Sequence, residues 1–216
     1  LRLDGAARTD AGAHALGQVA SFTTRREWDS RKLARALNRL LPSDIAIREV
    51  SAVGETFHAR RSAVGRIYRY QIACGEVLSP FTAPYVHHYR GDLDLDRLRA
   101  AASHFLGEHD FSSFRAAGDV SASRVKTIRS CSVVHEGDLI RFTVEGSSFL
   151  QHMVRTMAGT LLEVGRGRWE PGRVAEAIAR RERSAAGPTL PARGLFLVEV
   201  LYPGEGRGAL PGGENG

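Results

Sequence analysis

The sequence predicts an α+β chain built as two α/β halves with antiparallel sheets, on three observations. Strand-like and helix-like stretches come in groups, not in the strict alternation of a doubly wound sheet. Glu136-Gly137-Asp138 separates two alternating runs, which is a hairpin signal. Gly91-Asp92 opens a break that puts a boundary near Arg90–Asp92, giving halves over 1–90 and 91–203. The Gly/Pro-rich stretch 204–216 has no periodicity and reads as a disordered tail.

In chain order, Gln18–Thr24 alternates apolar and polar residues and predicts a half-buried strand. Asp29 and Ser30 then cap a helical pattern through Leu33, Ala36, Leu37, Leu40 and Leu41, which Pro42 ends. Period-2 runs predict strands at Ile45–Val50 and Arg66–Ile72, with a short one at Tyr85–Tyr89. From Asp94 a second helix runs through Leu95, Leu98, Ala102, Phe105 and Leu106 and stops at Gly107. His109–Phe114 reads as a loop, and Val125–His135 and Leu139–Glu145 as the hairpin strands. Phe149–Val164 predicts a strongly apolar helix, Pro171–Arg183 another with proline near its first turn, and Gly194–Tyr202 a last strand.

The composition bounds the function. At 216 residues, with 43% hydrophobic and 25% charged residues, the chain can bury a core of its own. Mean hydropathy is −0.22, and no apolar run approaches the roughly 18 residues of a spanning helix, so no membrane role is expected. Cys74 and Cys131 stand apart without a CxxC or His-rich companion, which suggests neither a disulfide scaffold nor a metal site. A reducing, cytoplasmic setting fits that cysteine usage. The chain opens on Leu1 with no signal-peptide pattern and reads as cut at its N-terminus. A net charge of +6 and a pI near 9.9 favour a polyanionic partner. Lysine occurs only at Lys32 and Lys126, so the basicity is almost all arginine, a bias that a GC-rich genome also produces.

Three stretches carry candidate chemistry. In Gly5–His14 small residues surround Arg8, Asp10 and His14, so a substrate can approach a protruding carboxylate; the same residues also suit a plain turn capped by Asp10. An aspartic protease would need a second such carboxylate motif, and none occurs. Thr56–Gly75 has arginines and tyrosines and no acid, and in a strand Arg66, Tyr68 and Tyr70 share one face. That face suits stacked nucleobases, or equally tyrosines packed under a helix. Arg155 is the lone charge among Leu150, Met153, Val154, Met157, Leu161 and Leu162, with Gln151, His152 and Gly159 on its own stripe; such a charge either snorkels to water or pairs with a carboxylate, and pairing, which can also be purely structural, is the expectation. The His109-Asp110…Ser112 cluster lacks the geometry and the nucleophile elbow of a hydrolase and reads as a loop anchor.

In this order the stretches resemble the tRNA pseudouridine synthases of the TruA type. Ala7–Ala15 is similar to the family's G-R-T-D-A-G-V-H-A signature, and Phe57-His58-Ala59-Arg60 followed by Arg66–Tyr70 to its F-H-A-R…K-x-Y-x-Y pattern. The likeness continues through Gly107–Phe114, Phe149–Arg155, Gly194–Leu197 and Tyr202-Pro203. It implies the pseudouridine synthase fold, two halves around a basic cleft, and isomerisation of uridine at positions 38 to 40 of the tRNA anticodon stem-loop by a homodimer without metal or organic cofactor. Carried over, Asp10 is the nucleophile toward a flipped uridine and Arg155 the cation that pairs with it. Tyr68 stacks on the base and aids removal of its C5 proton, Leu195 forms an apolar wall, and Arg8 helps displace the uridine. Ala7, Ala13 and Gln151 depart from the family's usual glycine, valine and histidine. The family's first strand and helix, which precede the aspartate loop, have no counterpart in this sequence, so the first sheet is expected to lack an edge strand. The competing expectation is a non-catalytic RNA-binding remnant of such an enzyme.

Overall fold

The computed structural model describes residues 2–204. Apart from Gly204, the tail expected at 204–216 lies outside the described residues. The chain divides into two compact units. One holds the stretch up to Ala7, Val19–Ala63 and the chain from Leu201; the other holds Arg8–Gln18 and Val64–Val200.

In the first unit β1 (Leu3–Gly5) pairs antiparallel with β3 (Ala20–Phe22), in the register Leu3↔Phe22 to Gly5↔Ala20. Helix α1 (Ser30–Leu40) starts where its cap dictates, for the Asp29 carboxylate accepts the Lys32 amide at 2.7 Å. It ends before Pro42, as expected. Ile45–Val50 forms no strand. A period-2 pattern needs a neighbouring ladder, and here the Asn38 side chain takes that place. Its amide donates to the Ile47 carbonyl at 2.8 Å and its oxygen accepts the Ile47 N–H at 2.7 Å. The Tyr202 hydroxyl donates to the Ala59 carbonyl at 2.7 Å, and its ring lies 5.1 Å from that of Phe57.

The second unit is built on a seven-stranded mixed sheet. Its strands are β2 (His14–Ala15), β4 (Gly65–Cys74), β5 (His87–Tyr89), β6 (Gly107–Asp110), β7 (Val125–Glu136), β8 (Leu139–Gly146) and β9 (Leu195–Leu201). They run in the order β2-β9-β4-β8-β7-β6, with β5 parallel to the end of β4. The hairpin β7–β8 turns at Gly137, whose φ of 57° is the conformation a tight turn requires. Strand β4 alternates as its sequence predicts, with Arg66, Tyr68, Tyr70 and Ile72 buried and the residues between them half-buried.

Four helical and strand boundaries differ from the pattern. Helix α2 (Leu95–Ser103), capped by Asp94, stops short of Phe105 and Leu106, although Phe105 is fully buried against Phe111 and Phe114. Gly107, at φ 100°, then turns the chain into β6, an edge strand in a stretch read as loop. Its polar residues are the kind that blunt an exposed edge. Helix α3 (Met153–Gly165) begins four residues later than its apolar pattern, because His152 sits at φ 64° and ψ 1°. Helix α4 (Arg173–Arg180) ends at Arg181, also left-handed at φ 56°. Every residue of α3 except Arg155 is buried. Among the described residues no helix is long and apolar enough to cross a membrane.

Candidate active site

The Asp10 loop is a tight turn closed by the Ala13 N–H donating to the Asp10 carbonyl at 3.0 Å. Gly12 takes a φ of 82°, which a side chain would oppose. Ala7 does not need the glycine of the family's pattern, since only His152 and Arg181 are left-handed non-glycine residues among those described. Beyond the turn β2 runs parallel to β9, pairing His14 with Phe196 and Ala15 with Leu197. The His14 ring stacks on Phe196 at 4.8 Å. A Cβ at Gly17 would come within 2.5 Å of the Val198 carbonyl, so glycine is needed there for close approach to β9.

This placement brings Asp10 to α3. The carboxylate partner that Arg155 requires is Asp10, whose Oδ2 accepts from the Arg155 guanidinium at 2.6 Å. The Arg155 side chain is 14% exposed and that of Asp10 28%. Arg155 is fixed from its other side, for its Nε donates to the Leu190 carbonyl at 2.7 Å. The segment carrying Leu190 lies flush on α3, where the Gly187 N–H donates to Thr160 Oγ1 at 2.9 Å. A Cβ at Gly187 would meet the α3 backbone at 2.6 Å. His152 Nε2 lies 3.4 Å from the same Asp10 oxygen. Asp10 Oδ1 accepts no hydrogen bond among the described residues. One oxygen is therefore anchored and the other left open, the arrangement a carboxylate needs to act on a bound molecule.

Tyr68 is 8% exposed, its ring edge-on to Phe149 at 5.0 Å. Burial pushes its phenol up to about 12; the Arg66 guanidinium opposes that shift and the Asp10 carboxylate adds to it. Tyr70, on the same face of β4, is fully buried and donates to the Pro191 carbonyl at 2.7 Å. Burial raises its pKa strongly, against Arg155 and Arg193. Both tyrosines are thus packed, and only Tyr68 lies within electrostatic reach of Asp10. Leu195 is buried at the head of β9, one residue before the pairing with β2. Arg8 is exposed on the Asp10 loop and has no ion pair or hydrogen bond among the described residues.

Sequence reasoning missed His152 as a neighbour of Asp10, although its place on the Arg155 stripe was the available signal. Among the described residues no three His, Cys, Asp or Glu side chains are placed to hold a metal ion.

The chain is similar to known tRNA pseudouridine synthases. A family model described as tRNA pseudouridine synthase matches residues 1–60 and 101–203. The chain is 44% identical over 202 residues to the tRNA pseudouridine synthase A of Geotalea daltonii, covering 94% of this chain and 83% of that protein. It is 44% identical over 200 residues to that of Acetivibrio thermocellus, covering 93% and 82%. For Rhodospirillum centenum the figures are 46% over 198 residues, 91% and 81%. With the Asp10 loop and Arg155 inside the stretches that the family model matches, and relatives at 44% identity over most of its length, the chain belongs to the tRNA pseudouridine synthase family.

Proposed function

We propose that this chain isomerises uridine to pseudouridine in the anticodon stem-loop of tRNA, at positions 38 to 40, with Asp10 as nucleophile. Membership of the family supports an isomerase acting on tRNA. The observation that carries the assignment of Asp10 is its split carboxylate, with Oδ2 held by Arg155 at 2.6 Å and Oδ1 open. In the reaction the carboxylate bonds transiently to the uridine and the N1–C1′ bond breaks. The uracil turns, a C5–C1′ bond forms, the C5 hydrogen leaves as a proton, N1 gains one, and the carboxylate is released. Atoms and electrons balance without an oxidant or reductant.

Arg155 orients Asp10, and Tyr68 stacks on the flipped base. With its phenol at about 12, Tyr68 is neutral at neutral pH, so stacking is the part assigned to it and a standing tyrosinate is not invoked. Leu195 walls the base, Arg8 reaches into the stem from its exposed position, and the enzyme works as a homodimer in the cytoplasm. The net charge of +6 suits the polyanionic substrate.

The test is to treat unmodified tRNA transcripts with the chain and map pseudouridine by carbodiimide adduct formation and primer extension. Stops at positions 38 to 40 with the wild-type chain, and none with Asp10→Asn, are expected. Intact tRNA binding without any stop would instead favour the RNA-binding remnant.

A further inference from the structure

Among the described residues, His152 is the one group besides Arg155 that approaches the proposed nucleophile's anchored oxygen, with Nε2 3.4 Å from Asp10 Oδ2. Its backbone is an unusual place for a β-carbon, at φ 64° and ψ 1°. Non-glycine residues stay in that region when their surroundings over-determine it. Here they do. The Gln151 carbonyl accepts the Ala116 N–H at 2.9 Å, and the Gln151 N–H reaches Asp119 Oδ1 at 3.5 Å. The His152 carbonyl is taken by the Thr156 N–H at 3.0 Å, the first turn of α3. The side chain is 30% exposed, and among the described residues its imidazole has no other polar partner.

A histidine that served only to start α3 would be better replaced by glycine, which reaches this conformation without strain. The imidazole therefore has a use at its tip, and the atom it meets is Asp10 Oδ2. We propose that His152 is a positioning residue for the isomerisation, acting through Asp10. The Arg155 guanidinium holds Oδ2 by a 2.6 Å hydrogen bond and His152 Nε2 stands 3.4 Å from the same oxygen, so that together they limit the carboxylate's rotation and leave Oδ1 as the atom that attacks the uridine. The inference rests on the reading of Asp10 as nucleophile and adds the oxygen that reacts and the second group that selects it.

The test compares wild-type chain, His152→Gly and His152→Gln in single-turnover release of tritium from tRNA labelled at uridine C5, at saturating enzyme, alongside tRNA affinity and thermal unfolding. His152→Gly keeps the left-handed backbone and removes the imidazole. Its rate should fall about 10- to 100-fold, the scale of a reacting group losing its exact placement. Affinity for tRNA should stay within about twofold and the unfolding midpoint should not drop, since the backbone strain is relieved. His152→Gln, which places an N–H donor near the lost Nε2, should recover much of the rate.

A His152→Gly rate within about twofold of wild type overturns the inference while the function stands. So does a loss of rate matched by losses of affinity and midpoint that His152→Gln does not restore, because that is the mark of packing alone. A wild-type chain that releases no tritium overturns the functional reading and this inference together.

Discussion

Two aspartates flank the start of α3, each paired with an arginine, and they are built for opposite ends. Asp119 has a side chain with no exposed surface. Its Oδ1 accepts from Ser121 Oγ at 2.8 Å and from the Gln151 N–H, and its Oδ2 from Arg124 at 2.8 Å. Burial alone would raise its pKa, but the Ser121 hydroxyl, the Gln151 and Ser121 amides and Arg124 together hold it below the usual carboxylate range. Asp10 keeps 28% of its side chain exposed and spends one oxygen on Arg155 and His152. An aspartate–arginine pair is thus no sign of function by itself. What separates the structural carboxylate of Asp119 from the proposed nucleophile is whether its lone pairs are used up.

That contrast can be broken by substitution. Asp119→Ala should cause the largest loss of stability, about 3–4 kcal/mol, because Arg124 and the Gln151 amide lose a buried partner. Urea unfolding would read it, and a loss near zero would show that Asp119 does not anchor the fold. Next is an alkaline effect at Tyr68. Up to pH 10 folded and unfolded chains both hold the phenolic proton. Between pH 10 and about 12 the unfolded chain releases it while the folded one keeps it, so stability falls as pH rises. Tyr68→Phe should flatten the stability–pH curve by about 2–3 kcal/mol over that window relative to wild type; identical slopes would mean that the ring is hydrated.

Arg155→Ala should cost about 2 kcal/mol, below the range for a fully buried pair, because Asp10 retains contact with water. A thermal or urea midpoint equal to wild type would show that the pair is not sensed by the fold. Smallest is Asn38→Ala, at about 1 kcal/mol, since the two Ile47 backbone groups it satisfies are free to turn to water. Hydrogen exchange at the Ile47 amide should speed up in that variant and nowhere else in its segment.

How much the sequence discloses follows the range of the forces involved. Helix α1 was legible at both ends because Asp29 and Pro42 act within a few residues. The hairpin was legible from Gly137, and the faces of β4 from their alternation. The need of Arg155 for a carboxylate was legible as well, from one charge on an apolar helix, and Asp10 meets it across 145 positions of sequence. What failed was set at a distance. Ile45–Val50 carries a strand's pattern but meets a side chain in place of a ladder. The edge strand at Gly107–Asp110 exists because Val125–Ile128 lies beside it. The start of α3 is fixed by Ala116 and Asp119, far from its own first turn, and the same long-range grip turns His152 toward Asp10. Arg8 is the reverse case, since its role is proposed and among the described residues it has no polar partner.

The central claim, that Asp10 reacts through its open oxygen, is tested most directly by counting tritium released from tRNA labelled at uridine C5. Wild-type chain should release the label. Asp10→Asn should lose at least about 1,000-fold in rate while its tRNA affinity stays near wild type and its unfolding midpoint falls no further than that of Arg155→Ala. Release by Asp10→Asn at the wild-type rate would contradict the account and move the chemistry elsewhere in the chain.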